Sequence, residues 1–194
     1  MKKAIIFFIF FHVLTANAQN SIEWDGIYQL QLSDFQSQAT QIGSGVTISS
    51  IHTASSLDFG FMMSNIEFMF TKNFNSKVNC SFQRDAGSVI APDAITANKL
   101  LDFARYEFDL SELYARKLRK EIYEQKGTFS DISFLKVLYD QIQKEYTEEH
   151  GMAAKNTNMG TDTTKLAALH TEVLKQIESY PDFCKSCKPP KKKK

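Results

Sequence analysis

Glycine and proline are scarce, at eight and four in 194 residues, which excludes collagen-like and low-complexity architectures. No apolar run reaches the roughly 18 residues that a membrane-spanning helix needs. Neither sign of charge dominates, with 23 Lys and Arg against 22 Asp and Glu, so the composition points to no nucleic-acid partner. The chain also lacks a Walker A loop, a G-x-S-x-G elbow and a G-x-G-x-x-G turn. What remains is a chain that is 43% apolar and 23% charged, values of an ordinary globular domain.

The longest apolar run, Ala4 to Leu14, follows Met1-Lys2-Lys3 and precedes Thr15-Ala16-Asn17-Ala18. A basic end, an eleven-residue apolar stretch and an A-x-A site have the form of a secretory signal peptide. Cleavage after Ala18 leaves Gln19 first and implies export to the periplasm or the medium. The expected organisation is a signal peptide over 1–18, one domain over 19–183 and a Cys- and Lys-rich tail over 184–194.

Charge divides the mature chain. Residues 19–183 hold 15 basic and 22 acidic side chains, a net charge of −7, while 184–194 hold six lysines and no acid. Lysines at a chain end are expected to be solvated, although an acidic surface or a phosphate would suit them. Three cysteines lie in the mature chain: Cys80, Cys184 and Cys187. Cys184-Lys185-Ser186-Cys187 has the spacing of a redox pair or half a zinc site. With no second C-x-x-C or C-x-x-H, a simple disulfide or free thiols on a flexible tail is the better reading. Cys80 reads as a small buried residue. Asn79-Cys80-Ser81 fits an N-glycosylation pattern, relevant only in a eukaryotic secretory route.

Periodicity changes near residue 90. Before it, Tyr28, Leu30 and Leu32 alternate with polar residues, as do Val46 with Ile48, and Ile66, Phe68 and Phe70. These alternations predict strands, and the run Leu57 to Thr71 predicts one buried on both faces. Asn73 to Ser76 reads as a turn into a strand over Val78 to Phe82. After residue 90 the steps are of three and four. A first helix is expected from Pro92-Asp93 to Gly127, with Leu100, Ala104, Phe108, Ala115, Leu118 and Ile122 inward. A second is expected from a Ser130 cap to Gly151, with Leu135, Leu138 and Ile142 inward. A loop over 152–161 then leads to a third helix, Asp162 to Ser179, burying Leu166, Leu169, Val173 and Ile177. Strands first and helices second predict an α+β domain: an N-terminal antiparallel sheet followed by three helices.

The stretch from Leu100 to Ile122 reads L-L-D-F-A-R-Y-E-F-D-L-S-E-L-Y-A-R-K-L-R-K-E-I. It resembles the active-site helix of a secreted bacterial domain-of-unknown-function family regarded as zinc-dependent proteases. There the helix reads roughly L-L-x-H-E-Q-x-H-F-D-I-x-E-x-Y-A-R-K-L-R. Phe108-Asp109-Leu110 and Glu112 to Arg119 carry the match. Leu30-Gln31-Leu32-Ser33-Asp34-Phe35 is similar to the family's L-x-W-x-D-F opening, and Phe68 to Phe74 to a strand that leads to its F-containing turn. The resemblance implies a zincin-like scaffold and, in the family, zinc.

The implied zinc ligands are replaced here. H-E-x-x-H works because two imidazoles four residues apart reach one metal, and the glutamate polarises the bound water. Phe103 and Glu107 stand at the histidine positions and Ala104 at the glutamate. Losing the general base alone costs roughly 10²–10⁴ in rate. The family's later Y-D-x-E-T-x-H-G stretch has two placements. One uses His150-Gly151. The other, preferred on spacing, uses Met159 to Lys165 and puts Lys165 at the histidine. The resemblance therefore implies a catalytically inactive relative that acts as a binding or structural protein, with no metal cofactor, and whose former groove accepts an extended peptide along a sheet edge. The alternative is an active metallohydrolase with a rearranged site that draws on Glu107, His150 or His170. A thiol-linked role for Cys184 and Cys187 is a third reading.

Overall fold

The computed structural model describes residues 20–59, 64–127 and 132–191. The signal-like segment, the Ser130 cap and the last three lysines lie outside the described residues. The protein is α+β, with small sheets followed by three long helices.

Strands β1 (Ser21–Glu23), β4 (Ser55–Phe59) and β5 (Val78–Gln83) form one antiparallel sheet in the order β1-β5-β4. Strands β2 (Gln41–Ile42), β3 (Ser50–His52) and β6 (Ser88–Ala91) form a second in the order β2-β6-β3, with β2 parallel to β6. The expected single antiparallel sheet is thus two, and one pairing is parallel. The centre of the first is β5, whose Val78, Cys80 and Phe82 point inward with alternate residues.

Three expected strands are absent among the described residues. The stretch Tyr28 to Leu32 is a loop ending in a 3₁₀ turn, Leu32–Asp34, because Asp34 captures it. The carboxylate of Asp34 accepts from the Tyr28 hydroxyl and the Gln31 amide, both at 2.8 Å, and meets Arg84 at 3.2 Å. A side chain that bonds its own backbone competes with the ladder. Val46 and Ile48 lie outside any strand, in an exposed connection. The alternation Ile66, Phe68, Phe70 belongs instead to a short helix, α1 (Asn65–Phe70), capped by the Ser64 hydroxyl on the Glu67 amide.

The spine is α2 (Ala94–Gln125), opened by the Asp93 carboxylate on the Thr96 amide at 2.7 Å. Both sheets pack on it, as do α3 (Ser133–Asn156) and α4 (Thr163–Glu178). Every residue from Tyr106 to Arg116 is buried. A helix enclosed on all sides normally carries apolar residues all round. This one also carries Glu107, Asp109, Glu112, Arg116 and Arg119, all buried, so each needs a partner.

Helix α3 passes the expected stop at Gly151 and runs to Asn156. A side chain at Gly151 would meet open space, so the glycine only weakens the helix there, by about 1 kcal/mol relative to alanine. The left-handed residues Asn158, Met159 and Gly160 make the actual turn, and Asp162 caps α4 as expected.

Residues 184–191 are not a free tail. Cys184 and Cys187 form a disulfide, and the Cys187 carbonyl accepts from the side-chain amides of Asn73 and Asn75, both at 3.0 Å. Lys185 pairs with Glu23 at 2.6 Å, and the Tyr123 hydroxyl donates to the Pro190 carbonyl at 2.9 Å. The basic segment therefore follows the surface of the acidic body.

Candidate functional site

Three buried carboxylates of α2 are met by different side chains, two from other helices and one from α2 itself. Glu107 points to α3, where its Oε1 lies 2.7 Å from His150 Nε2. The imidazole stacks on Tyr146, and the Tyr146 hydroxyl lies 3.2 Å from Ser111 Oγ. The bond to Glu107 raises the His150 pKa above its ordinary value, while burial pulls the other way.

Asp109 points to α4 and to the N-terminal strand. Its Oδ2 lies 2.6 Å from His170 Nε2, and its Oδ1 accepts from the Trp24 indole, also at 2.6 Å. The buried Tyr106 ring meets His170 edge-on.

Glu112 is met by two guanidiniums, Arg116 at 2.9 Å and Arg119 at 2.8 Å. Arg119, with a fully enclosed side chain, also donates to the Val78 and Phe183 carbonyls. Arg116 donates to the Ile177 and Tyr180 carbonyls. These bonds tie β5, the end of α4 and the C-terminal segment to one charge cluster.

The positions implied by the resemblance are filled by packing. Phe103 and Ala104 are enclosed, at 1% and 0% exposure. The Phe103 ring lies against Tyr106 and His150. Above it sits Gly160, whose φ is +83°; a Cβ there would fall 2.9 Å from Phe103 Cβ and 2.8 Å from the Lys99 carbonyl. Only glycine lets the turn close down on this helix. Lys165 stands on the first turn of α4, largely exposed, and pairs with Asp162 at 2.9 Å. It is His150, from the other placement, that meets Glu107. His170 goes to Asp109, and His52 is exposed on β3. Among the described residues no group of three or more His, Cys, Asp or Glu side chains is arranged to hold a metal ion.

Cys80 is fully enclosed, and burial pushes its thiol pKa well up. It contacts the Phe108 carbonyl and stays a protonated packing residue. Burial likewise raises Tyr106, Tyr114 and Tyr146, which remain neutral phenols.

A cleft of about 610 Å³ opens beside the Glu112 cluster. Trp24, Arg116, Glu112, Glu23, Lys185 and Cys184 are among its lining residues. The Arg116 guanidinium lies over the Trp24 ring, 5.4 Å from its centroid. Since Trp24 also donates to Asp109, the cleft wall is joined to His170 through two hydrogen bonds. Trp24 and Asp109 did not stand out as site residues in the sequence. Asp109 lies in the resembled motif, but nothing in the spacing pairs it with Trp24, 85 positions away.

Compared with protein-family models, curated proteins and solved structures, the chain matches none.

Proposed function

We propose that this is an exported binding or structural protein on a zincin-like scaffold, a relative of the zinc-protease-like family whose metal chemistry has been replaced by packing. The observation that carries this is the fate of one helix face. Phe103 is sealed under the Gly160 turn, Ala104 is fully buried, and the carboxylate of Glu107 is engaged by His150. A phenyl ring and a methyl group offer no donor, so the residues present do not fit zinc. The buried charges of α2 serve instead to fasten neighbouring elements.

The surface best suited to a partner is the cleft at Trp24. It is reached from β1, an edge strand of its sheet, whose residue Glu23 lines it with Trp24 and Asp25. An edge strand beside an aromatic wall suits an extended peptide, which adds backbone hydrogen bonds along the strand.

Zinc calorimetry tests the reading. The wild-type protein is expected to take up no zinc, and EDTA to leave its unfolding midpoint unchanged, since no metal binding is coupled to folding. Tight one-to-one binding that survives Cys184→Ser with Cys187→Ser, and is lost with Glu107→Ala, would overturn it in favour of a metallohydrolase. The single tryptophan makes the cleft its own reporter: extended peptides that enter it should change Trp24 emission.

A further inference from the structure

A second concavity, of about 600 Å³, lies where the C-terminal end of α2 meets α1 and the last described residues. Lys72, Lys126, Lys188 and Lys191 line it, with Met69 and Tyr123 between them. No acidic side chain is among its described lining residues, on a body whose net charge is −7. Two bonds shape it. The Lys126 ammonium reaches the Met69 carbonyl at 3.4 Å and lies over the Phe68 and Phe74 rings. Tyr123 holds the Pro190 carbonyl, which brings Lys188 and Lys191 to the opposite wall.

Beside these lysines α1 presents an inverted amphipathic face. Only Phe68 of this helix is buried. Ile66, Met69 and Phe70 stand 70%, 55% and 76% exposed. They occupy positions i, i+3 and i+4, so they form one stripe, and Met69 joins it to the basic concavity. Glu67, the one acid on α1, is occupied by Lys77 at 3.3 Å. Single exposed apolar residues need no explanation, but three in a row beside a cluster of one charge do.

We propose that this face docks on an anionic phospholipid surface, with Ile66, Met69 and Phe70 entering the acyl boundary and Lys72, Lys188 and Lys191 meeting lipid phosphates. An acidic peptide in the concavity would satisfy the lysines but leave Ile66 and Phe70, which do not line it, in water. A bilayer interface takes both groups at once: apolar side chains enter the headgroup boundary and each nearby lysine adds attraction to anionic lipid. Among the described residues no helix is long and apolar enough to cross the membrane, so contact here would be peripheral.

The test is co-sedimentation with vesicles, using the chain that begins at Gln19, which keeps every contact described above. Vesicles of phosphatidylglycerol with phosphatidylethanolamine are compared with vesicles of phosphatidylcholine, at low and high salt. The protein should sediment with the anionic vesicles only, and salt should weaken the association. The triple change Lys72→Glu, Lys188→Glu, Lys191→Glu should weaken it roughly a hundredfold. Ile66→Ser with Phe70→Ser should weaken it at least about tenfold. All five side chains are exposed, and circular dichroism melts check that the variants still fold. Lack of binding to anionic vesicles would overturn the proposal, as would equal binding to phosphatidylcholine. Binding unaffected by the two serine changes would also overturn it, and would assign the lysines to a soluble polyanion such as an acidic peptide.

Discussion

The two halves of α2 solve the same problem with different chemistry. In the C-terminal half, Glu112 is buried against Arg116 and Arg119, and the spare guanidinium protons are taken by carbonyls of three other segments. In the N-terminal half, Glu107 and Asp109 are buried against imidazoles, whose side chains are 32% and 23% exposed. Guanidinium stays charged at any pH the protein meets, whereas imidazole changes charge near neutrality. The Glu112 cluster is therefore fastened permanently, and the Glu107–His150 pair conditionally. The conditional pair lies in the half of the helix where Phe103 and Ala104 are sealed by packing.

The largest expected effect lies in the permanent cluster. Arg119→Met leaves Glu112 with one partner and strips the Val78 and Phe183 carbonyls. Removing one member of a buried ion cluster costs about 3–5 kcal/mol. Urea unfolding should show a loss of that size at any pH near neutrality; a loss below about 1 kcal/mol would erase the contrast. Asp109→Asn should come next. It keeps an acceptor for Trp24 but removes the charge facing His170, and bonds to charged groups are worth about 1.5–3 kcal/mol. Trp24 emission should shift along with the unfolding midpoint, which a purely local loss at α4 would not produce.

The smallest effect should be the most informative. His150→Gln removes a pair whose imidazole is partly exposed and should cost about 1 kcal/mol in mildly acidic solution. The sign with pH follows from the raised His150 pKa: the folded state holds the proton more tightly than the unfolded chain. Stabilisation by the pair is then complete below the ordinary value of 6.5 and disappears as pH rises through the higher folded value. Wild type and His150→Gln should therefore differ in stability at pH 6 and converge in alkaline solution. A difference that persists unchanged would mean that His150 acts by packing on Tyr146, not by charge.

The helical half of the fold could be read from the residues because its signals are local. Steps of three and four along α2, and aspartates at positions 93 and 162 that accept from amides three residues on, are visible in sequence. The β half was legible only in part. Alternation in Tyr28 to Leu32 and in Ile66 to Phe70 is what a strand shows, yet Asp34 and Ser64 divert those segments through side-chain bonds that a period of two does not register. The docked C-terminal segment was missed for a related reason. It is held mainly by bonds to its own backbone carbonyls, and carbonyls carry no residue identity. At the site, the inward placement of Phe103 and Ala104 was plain from the helical steps. The partners of the carboxylates were not, because His150 and His170 each come from another helix and pair across 43 and 61 positions.

The Arg119 bonds also set an order of events. The guanidinium is completed by carbonyls at Val78 and Phe183, one before α2 and one near the end of the chain. Arg116 likewise waits for Ile177 and Tyr180. A chain delivered from its N-terminus can form the sheets and α2 early, but two charges on that helix stay short of acceptors until the carbonyls of Ile177, Tyr180 and Phe183 arrive. The body should therefore remain loose throughout synthesis and close late, in a single step governed by its C-terminal end.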